Sequence, residues 1–461
     1  MSDTGYDNIF FLGAGGIGMS ALARYFMAAG KNVAGYDRTP SAITRQLTVE
    51  GMSLFYHDDV TLLPDEFTRS DHTLVVFTPA VSDDNRLLSY FRSNGFMVLK
   101  RSRVLGQVSA AHRLIAVAGT HGKTTISTMI AHLLYGSRVG CVALLGGISG
   151  NYNTNYLHSA QWRYFVTEAD EFDRSFLNLF PDTAVITSVD ADHLDVYGDH
   201  NALKRSFGDF IRNLRPNGRL FVKKGLGLDM SAVHHSKIRH YGLSSGEWFA
   251  DEVNIFPDHS VFTLVTPSGP VKDLVLGIPG HVNVENAVAA SAVALTAGVS
   301  TGELRRGLET FKGIRRRFDV RFVSEQTVYI DDYAHHPNEI KALIDSVKEM
   351  YPGKKILGIF QPHLYSRTRD FSEEFARSLD MMDEVILLDI YPAREKPIVG
   401  VSSDLIFDRM NLGNKKRCNK EELLSILSGI TPEVLLTIGA GDIDRLVQPV
   451  TQMLRKTLKS K

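Results

Sequence analysis

Cysteine is scarce in this chain of 461 residues, and neither sign of charge prevails. The two cysteines, Cys141 and Cys418, are too few for a disulfide scaffold or a four-cysteine zinc site. Lysine plus arginine number 51 against 52 aspartates plus glutamates, which gives a net charge of −1. Such a chain lacks the broad positive surface that favours duplex nucleic acid or an anionic membrane. We therefore expect no nucleic-acid partner, and ligand binding must depend on local sites.

The sequence also lacks long apolar runs, repeats of 20 to 50 residues and low-complexity tracts. The N-terminal stretch MSDTGYDNIF contains acidic residues and no apolar core, which is not the pattern of a secretory signal. The longest mildly apolar run, residues 287–299, is too short and too interrupted to span a bilayer. We expect a cytoplasmic protein with no membrane insertion.

Three segments of alternating strand and helix patterns divide the chain, which predicts an α/β fold. The predicted limits are 1–112, 113–314 and 315–461, in keeping with the domain count expected for this length. A basic stretch at residues 100–103 is interpreted as a connector. In the middle segment, residues 218–280 change to short alternating stretches with turn signals, which predicts a small antiparallel patch.

The stretch AGTHGKTT follows the apolar run LIAV and precedes a helical pattern. It is a variant of the phosphate-loop pattern G-x-x-x-x-G-K-[ST], with Val117 where the first glycine normally stands. Gly119 and Gly122 allow backbone N–H groups to turn inward, and the start of the following helix adds a positive dipole end. Lys123 is predicted to contact the outer phosphates, and Thr124 is predicted to contact Mg²⁺.

Two acidic stretches follow the next predicted strands of the middle segment. In TEADEFD, Glu168 is nearest the strand and is the favoured ligand for a hard cation beside phosphates. Glu171 and Asp173 are interpreted as parts of a solvated acidic loop. In DADHLD, His193 stands among carboxylates, which makes it a candidate metal ligand.

The stretch GAGGIG lies in the first strand-turn-helix unit of the chain, and Asp37 ends the next predicted strand. This is the pattern of a dinucleotide-binding turn, but similar turns also bind other diphosphates. From the residues alone, three interpretations stay open: NAD, a UDP-type ligand, and a glycine turn without a ligand.

The third segment has histidines and aspartates at the end of a predicted strand, in DDYAHHPNE. His335 and His336 either cap a helix that begins near Pro337 or bind a ligand together with Asp331 and Asp332.

Four arginines could bind anionic ligands, because a planar guanidinium can hold a phosphate or a carboxylate by two parallel hydrogen bonds. Arg316 and Arg317 lie at the second domain junction and form a possible phosphate-binding pair. Arg367 and Arg369 follow a predicted strand and form a possible carboxylate-binding pair.

The order of these motifs resembles that of the Mur ligases of peptidoglycan precursor synthesis. The resemblance covers nearly the whole chain and rests on GAGGIGMS, AGTHGKTT, EADE, DADHLD, PGHVNVENA, RRRFD, DDYAHHPNE, FQPHLYSRTRD, YPAREKPIVG and GAGDI. It implies a three-domain α/β fold. A Rossmann-like N-terminal domain would bind the UDP moiety, a central phosphate-loop domain would bind ATP, and a Rossmann-like C-terminal domain would bind an amino acid.

The resemblance also implies roles for individual residues. ATP would contact Gly119, Thr120, His121, Gly122, Lys123, Thr124, Thr125, Asn283, Asn286, Arg317 and Asp332. The UDP substrate would contact Gly13, Gly15, Gly16, Ile17, Gly18 and Asp37. The Mg²⁺ ligands would be Thr124, Glu168 and His193. The amino acid would contact His335, His363 and Arg367. The catalytic residues would be Lys123 and His193, the latter as a candidate base.

Three positions depart from the usual family pattern. Val282 replaces a histidine before the first asparagine of the adenine side, Ser188 replaces an asparagine before DADH, and Leu364 replaces an arginine. The last change makes Arg367 the predicted ligand for the carboxylate of the amino acid.

The implied activity is ATP-dependent ligation of L-alanine to UDP-N-acetylmuramate through an acyl phosphate. DDYAHHPNE and FQPHLYSRTR favour L-alanine as the acceptor. The nearest alternative is the recycling ligase of the family, which attaches the tripeptide L-Ala-γ-D-Glu-meso-diaminopimelate. An NAD-dependent dehydrogenase would explain GAGGIG and Asp37 but would not use Lys123. A non-catalytic nucleotide switch would explain the phosphate loop but not the arginines of the third segment.

Overall fold

The structure is a computed structural model that describes residues 5–190, 194–393 and 395–457. The chain divides into two compact units, Met1–Lys312 and Gly313–Lys461. The first unit contains a five-stranded and a ten-stranded sheet, and the second contains a six-stranded sheet. The predicted α/β class is confirmed. The segment limits 1–112, 113–314 and 315–461 stay a proposal.

The first sheet is entirely parallel, in the order β3-β2-β1-β4-β5. Its strands are β1 Asn8–Leu12, β2 Asn32–Tyr36, β3 Ser53–Phe55, β4 Thr73–Phe77 and β5 Met97–Lys100. Its helices are α1 Ile17–Ala28, α2 Ala42–Val49, α3 Arg86–Ser93 and α4 Arg101–Ala110. The GAGGIG turn therefore follows the central strand, where the strand order reverses and open sheets bind ligands. The connector predicted at residues 100–103 is wrong, because β5 ends at Lys100 and α4 begins at Arg101.

The second sheet has the order β15-β14-β13-β12-β11-β10-β6-β9-β7-β8. Its strands are β6 Leu114–Ala118, β7 Cys141–Leu144, β8 Tyr156–His158, β9 Tyr164–Ala169, β10 Thr183–Ile186, β11 Arg219–Lys223, β12 Ile238–Gly242, β13 Trp248–Ile255, β14 Ser260–Val265 and β15 Val271–Leu276. The antiparallel patch is smaller than predicted and is not separate. In this stretch β11, β12 and β13 pair in parallel, and β14 and β15 then continue the sheet in antiparallel fashion.

The helices of the second sheet are α5 Lys123–Tyr135, α6 Leu194–Tyr197, α7 His200–Arg212, α8 His281–Ala297 and α9 Thr301–Thr310. As predicted, the buried face of α5 includes Met129, Ile130, Leu133 and Leu134. Short 3-10 helices lie at Val60–Leu62, Asp65–Phe67, Phe172–Asn178 and His235–Lys237. No helix in the described part of the chain combines the length and the apolar character needed to cross a membrane.

The sheet of the second unit has the order β16-β17-β21-β18-β19-β20, and β16 is its antiparallel edge strand. Its strands are β16 Asp319–Val323, β17 Val328–Asp332, β18 Ile356–Phe360, β19 Glu384–Leu387, β20 Lys415–Arg417 and β21 Val434–Ile438. Its helices are α10 Pro337–Met350, α11 Tyr365–Asp370, α12 Ser372–Leu379, α13 Asp404–Phe407, α14 Lys420–Ser428 and α15 Asp444–Thr457. The predicted helix after DDYAHHPNE is α10, and Pro337 is its first residue.

A buried polar cluster joins the two sheets of the first unit. Arg24 of α1 is 5% exposed, and its Nε donates to Glu50 Oε2 at 2.7 Å. Its Nη1 donates to Asn155 Oδ1, just before β8. Asn155 Nδ2 in turn donates to Ile17 O at 2.7 Å and to Ser20 Oγ at 3.0 Å. One buried amide therefore holds the helix that follows GAGGIG against the second sheet.

We predict that Asn155→Ala destabilises the first unit by about 3 kcal/mol, because it leaves Nη1 of the buried Arg24 guanidinium without its acceptor and removes the amide that donates to Ile17 O. Both tryptophans, Trp162 and Trp248, lie in this unit, so tryptophan fluorescence during urea unfolding reports on it alone. The control is Asn201→Ala, an exposed position on α7. An unchanged unfolding midpoint for Asn155→Ala would contradict the role assigned to this cluster.

Candidate active site

The glycine turn after β6 forms a tight cradle at the end of a central strand. Gly119 and Gly122 have φ of +137° and +80°, which residues with a Cβ rarely adopt. A Cβ on Gly119 would collide with Thr187 Oγ1 and lie 2.8 Å from Ser188 N. Both glycines are therefore required by the shape of the turn, which ends where α5 begins.

The residues that follow β10 hold this turn in place. The backbone N–H of Thr120 donates to Ser188 O at 3.2 Å, and that of His121 donates to Ser188 Oγ at 2.8 Å. Thr187 Oγ1 donates to His121 O. The amides of Lys123, Thr124 and Thr125 lie in the first turn of α5, where N–H groups have no partner within the helix. These three amides, rather than those of Thr120 and His121, suit an anionic ligand.

Lys123 forms a buried ion pair with Glu171. Its Nζ donates to Glu171 Oε1 at 2.9 Å, to Glu171 Oε2 at 2.8 Å and to Gly119 O at 2.6 Å. These contacts use all three hydrogens of the ammonium group. The side chain of Glu171 is 0% exposed, so its predicted place in a solvated loop is wrong. The chain turns inward after β9, and Tyr197 Oη donates to the Glu171 carbonyl at 2.6 Å.

Asp173 lies at the surface, as predicted, and forms an exposed ion pair with Lys100 at 2.8 Å.

The electrostatics of the cradle keep Lys123 charged. Burial by itself would lower the pKa of Lys123, but Glu171, Asp170 and Glu168 outweigh burial and raise it. Burial raises the pKa of the Glu171 carboxyl, and the Lys123 ammonium opposes that rise. The cradle therefore presents a cation whose counter-ion belongs to the protein.

Thr124 and Glu168 offer oxygen ligands beside the cradle. Ser127 Oγ lies 3.2 Å from Thr124 O and 3.5 Å from Glu168 Oε1, which brings the first turns of α5 next to the end of β9. Glu168 Oε1 also accepts the N–H of Gly146 at 3.2 Å. No group of three or more metal-binding side chains occurs in residues 5–190, 194–393 and 395–457. Mg²⁺ bound with nucleotides commonly takes only one or two carboxylates plus phosphate oxygens, so a hydroxyl and a carboxylate fit it.

The predicted ligand His193 lies outside the described residues. Its assignment as a metal ligand and candidate base stays a prediction.

The two asparagines of α8 have different surroundings. Asn286 is 8% exposed, and its Oδ1 lies 3.2 Å from the position that a Cβ on Gly122 would occupy. Asn283 Nδ2 donates to Pro279 O at 2.6 Å, at the start of its own helix. Asn286 therefore lies against the phosphate loop, whereas the Asn283 amide makes a local contact.

The turn after β1 is closed by Asp37. Its Oδ2 accepts the N–H of Gly15 at 2.7 Å, and its Oδ1 accepts the N–H of Thr39 at 3.1 Å. Gly13 has φ of +86°, and Gly16 caps α1, which begins at Ile17.

The guanidinium of Arg101 covers Gly18, where a Cβ would lie 2.8 Å from Arg101 Nη1. Arg101 therefore adds a cation to the GAGGIG turn. The connector interpretation of residues 100–103 missed this contact.

In the second unit, Arg316 has a structural partner and Arg317 is more accessible. Arg316 Nε lies 3.3 Å from Asp331 Oδ2, and Asp331 is 0% exposed. Burial raises the pKa of Asp331 to about 6, although Arg316 opposes that rise. Arg317 is 38% exposed, and its guanidinium lies 5.2 Å from the centroid of the Tyr333 ring.

Asp332 shapes the turn before β16. It accepts the N–H groups of Phe318 at 2.6 Å and Ala334 at 2.7 Å. Phe318 has φ of +46°, so this carboxylate holds a strained backbone. Burial raises the pKa of Asp332, and Arg317 opposes that rise.

The predicted amino-acid residues His335 and His363 lie together near the ends of β17 and β18. Their ring centroids are 6.0 Å apart, and the His363 ring stacks on Tyr391 at 5.8 Å. Arg367 Nη1 is buried and has no hydrogen-bond partner in the described residues. Arg369 is 54% exposed and pairs with its neighbour Asp370. Of the two arginines proposed to bind a carboxylate, Arg367 is therefore the one with an available buried donor.

His336 caps α10, which confirms the capping interpretation for this residue. Its Nδ1 accepts the N–H of Asn338 at 3.4 Å, and Glu339 Oε2 accepts the N–H of His336 at 3.2 Å. This is a capping box, in which the cap and the third helical residue exchange hydrogen bonds.

Three known sequence families match successive parts of the chain. The Mur ligase family catalytic domain matches residues 8–113, the Mur ligase middle domain matches residues 117–294, and the Mur ligase glutamate ligase domain matches residues 316–441. The UDP-N-acetylmuramate–L-alanine ligase of Parabacteroides distasonis is 51% identical over 452 residues, which cover 98% of each chain. The chain belongs to the Mur ligase family.

Solved structures of Mur ligases share the fold. The UDP-N-acetylmuramate-alanine ligase MurC of Thermotoga maritima superposes with a TM-score of 0.82 at 28% identity, covering 98% of this chain and 100% of that one. The murein peptide ligase of Psychrobacter arcticus has a TM-score of 0.71 at 21% identity, covering 97% of this chain and 98% of that one. The second match shows the fold alone. The predicted three-domain Mur ligase architecture is confirmed.

The structure describes the surroundings of the three positions that depart from the usual Mur ligase pattern, Ser188, Val282 and Leu364. Ser188 holds the phosphate loop through the contacts described above. Val282 is 58% exposed in the first turn of α8. Leu364 has φ of +71°, and its N–H donates to Tyr391 O at 3.0 Å.

Four contacts of this Mur ligase were missed by sequence reasoning, namely those of Glu171, Arg101, Asn155 and Glu339. Each of these contacts either joins side chains from different loops or elements or depends on the burial of a side chain, and neither property can be read from a local sequence pattern. The one usable signal was the second glutamate of EADE, which stands in a strand-end motif already linked to the phosphate loop.

We predict that Lys123→Met destabilises the first unit of this Mur ligase by about 3 to 5 kcal/mol near pH 8, since the buried Glu171 carboxylate then loses its ammonium counter-ion. A carboxyl whose pKa is higher in the folded than in the unfolded state loses folded-state stability as pH rises. The penalty should therefore be smaller at pH 5 than at pH 8. Urea unfolding followed by tryptophan fluorescence measures it.

Lys100→Met is the matched control, because it breaks the exposed pair with Asp173 and should cost no more than about 1 kcal/mol. Adding Glu171→Gln to Lys123→Met should recover part of the lost stability. If Lys123→Met and Lys100→Met lowered the free energy of unfolding equally, the buried ion pair would stabilise the protein no more than the exposed one.

Proposed function

We propose that this protein joins L-alanine to UDP-N-acetylmuramate and couples this to the cleavage of ATP to ADP and phosphate. The observation that carries the proposal is the 51% identity, over 98% of both chains, to the Parabacteroides distasonis enzyme named UDP-N-acetylmuramate–L-alanine ligase. The buried cation of the phosphate loop supports the ATP-dependent chemistry. Because the reaction consumes ATP, we place it in the cytoplasm.

In the proposed reaction, the carboxylate of UDP-N-acetylmuramate attacks the γ-phosphorus of ATP, and the bond to ADP breaks. The amine of alanine then attacks the acyl carbon of the resulting acyl phosphate. A C–N bond forms, and inorganic phosphate leaves from a tetrahedral intermediate. The barrier is lowered mainly by positioning and by neutralising charge on the phosphoryl group.

The first unit has residues suited to the activation step. Lys123 would turn from Gly119 O and Glu171 toward the phosphates, and the free amides at the start of α5 would bind phosphate oxygens. Thr124 and Glu168, with the predicted ligand His193, would hold Mg²⁺. When bound, Mg²⁺ would neutralise phosphate charge. Asn286 lies next to Gly122 and would contact the nucleotide, as proposed also for Asn283.

The GAGGIG turn is proposed to bind the UDP moiety. Its amides lie at the start of α1, where the helix dipole favours an anion, and Arg101 places a guanidinium over Gly18. Asp37 would act by shaping the turn through the N–H of Gly15.

The second unit has residues suited to the amino acid. Arg367 has a buried guanidinium nitrogen that forms no hydrogen bond with the residues that the structure describes, and such a donor favours a carboxylate. His335 and His363 are proposed to line the same site. Arg317 and Asp332 are proposed to contribute to ATP binding, Arg317 by its accessible guanidinium and Asp332 by holding the adjoining turn.

We expect ADP release only when UDP-N-acetylmuramate and L-alanine are both present, and we expect Lys123→Ala to lower it roughly 100-fold or more. A coupled ADP assay, with each substrate omitted in turn, measures this. Lys100→Ala is the control on an exposed lysine. A Lys123→Ala enzyme with ordinary turnover would refute the assigned role of the phosphate loop.

The same assay distinguishes the other candidate reactions. L-alanine, L-serine, glycine and the tripeptide L-Ala-γ-D-Glu-meso-diaminopimelate are offered as acceptors. A preference for the tripeptide would identify a recycling ligase. Binding of NADH, detected by its fluorescence, without ADP release would support the dehydrogenase alternative.

We expect Arg367→Ala to raise the KM for alanine about tenfold to hundredfold, because a charged hydrogen bond to the carboxylate is lost. The KM for ATP should change much less. Arg369→Ala is the matched control, since Arg369 lies on the same helix but pairs with Asp370 at the surface. A uniform rise in both KM values for Arg367→Ala would remove it from the amino-acid site.

A further inference from the structure

Glu339 is a carboxylate in the first turn of α10 that has no role in the reaction as proposed above. It is 19% exposed. Its Oε2 accepts the N–H of His335 at 2.9 Å and also that of His336. The same oxygen lies 3.2 Å from His335 Nδ1, and Oε1 lies 3.9 Å from Arg317 Nη1. This one side chain therefore contacts a predicted amino-acid residue and a predicted ATP residue.

The surroundings of His335 determine which ring nitrogen carries the hydrogen. Nδ1 lies 3.0 Å from Tyr333 O and 3.2 Å from Glu339 Oε2. A carbonyl and a charged carboxylate can only accept hydrogen bonds, so Nδ1 must be the donor. In the neutral ring the lone pair is then on Nε2, on the other side of the imidazole. Nε2 forms no hydrogen bond with any residue that the structure describes.

We propose that Glu339 is a positioning residue that orients His335, so that His335 Nε2 accepts a proton from the ammonium group of the incoming amino acid. This inference rests on the proposed ligase function, and it assigns the role of base to His335 in place of His193, which is left as a predicted metal ligand. An amino acid in neutral water is protonated on nitrogen, and that nitrogen has no free electron pair with which to attack a carbonyl. A base at this position therefore supplies a step that the reaction requires.

The proton transfer balances as follows. One N–H bond of the ammonium breaks, its proton moves to His335 Nε2, and the electron pair stays on the nitrogen. That pair forms the C–N bond with the acyl carbon, and the C–O bond to phosphate breaks. The departing phosphate oxygen takes the second proton that the nitrogen must lose to become an amide nitrogen. Glu339 stabilises the imidazolium that forms, because its carboxylate oxygen lies 3.2 Å from Nδ1.

The groups that face this pair support a charged Glu339. Burial by itself would raise the pKa of Glu339, but the hydrogen bond and charge of His335 and the charge of Arg317 lower it below its usual range. Asp332, the Tyr333 ring and the His363 ring also lie near the pair. Glu339 is closer to His335 than to Arg317, so its main electrostatic partner is the imidazole.

The test separates proton transfer from activation of the carboxylate. Hydroxylamine is largely uncharged at neutral pH and traps an acyl phosphate as a hydroxamate without first losing a proton. Alanine ligation and hydroxamate formation are therefore measured side by side with the full-length enzyme, ATP, Mg²⁺ and UDP-N-acetylmuramate. For His335→Gln we expect the ratio of ligation to hydroxamate formation to fall roughly 100-fold.

Glu339→Gln tests the positioning role. Glutamine keeps an oxygen that can complete the capping box, so the substitution removes the charge and spares the start of the helix. We expect the acid limb of the pH profile of kcat/KM for alanine to move to lower pH by about one unit, because the imidazolium loses its counter-ion. Asp345→Asn is the matched control, an exposed carboxylate on the same helix that pairs with Lys341 at 2.6 Å.

Several outcomes would overturn the inference. An equal loss of ligation and hydroxamate formation in His335→Gln would mean that His335 does not accept the proton. If the acid limb of the pH profile of kcat/KM for alanine did not move in Glu339→Gln, Glu339 would make only a structural contact and would not act on His335. If Glu339→Gln changed only the KM for ATP, Glu339 would act through Arg317 and not through His335. If the unaltered enzyme forms neither hydroxamate nor ADP, the proposed ligase function itself is wrong.

Discussion

The ion pair between Lys123 and Glu171 is the interaction on which the phosphate loop depends. The lysine of the phosphate loop is a largely buried cation, and an unpaired buried charge costs several kcal/mol. Glu171 and the Gly119 carbonyl use all three ammonium hydrogens. The chain after β9 turns inward to bring that carboxylate to the lysine. The protein itself therefore supplies the counter-ion that keeps this cation in the loop.

Carboxylates perform a related task at the other predicted sites, where they accept backbone N–H groups and hold a turn. Asp37 accepts from Gly15, Asp332 accepts from Phe318 and Ala334, and Glu339 accepts from His335 and His336. Such bonds satisfy donors that a turn or a helix start leaves without partners. The carboxylates of these motifs thus stabilise turns and helix starts, whether or not they also contact a ligand. This explains why an acid at a strand end cannot be taken as a ligand by its position alone.

Much of the fold could be predicted, because local patterns specify local structure. The phosphate loop, α5 with its buried face, and α10 with proline at its first position were all predicted from spacing and from capping residues. The antiparallel patch was predicted too large. Short alternating strands have the same periodicity whether they pair in parallel or antiparallel fashion, so β11 and β12 could not be assigned from their sequence.

The sequence by itself determined the α/β class, the glycine turns that open two of the helices, and the histidines and arginines that follow strands in the last third of the chain. Only the tertiary structure decided which charges are paired. Glu171 looks like a surface acid in sequence but lies buried against a lysine 48 positions earlier, and Arg101 lies over a glycine turn of another helix. The physical reason is that periodicity and capping are local, whereas burial and ion pairing depend on which loops the packed sheets bring together.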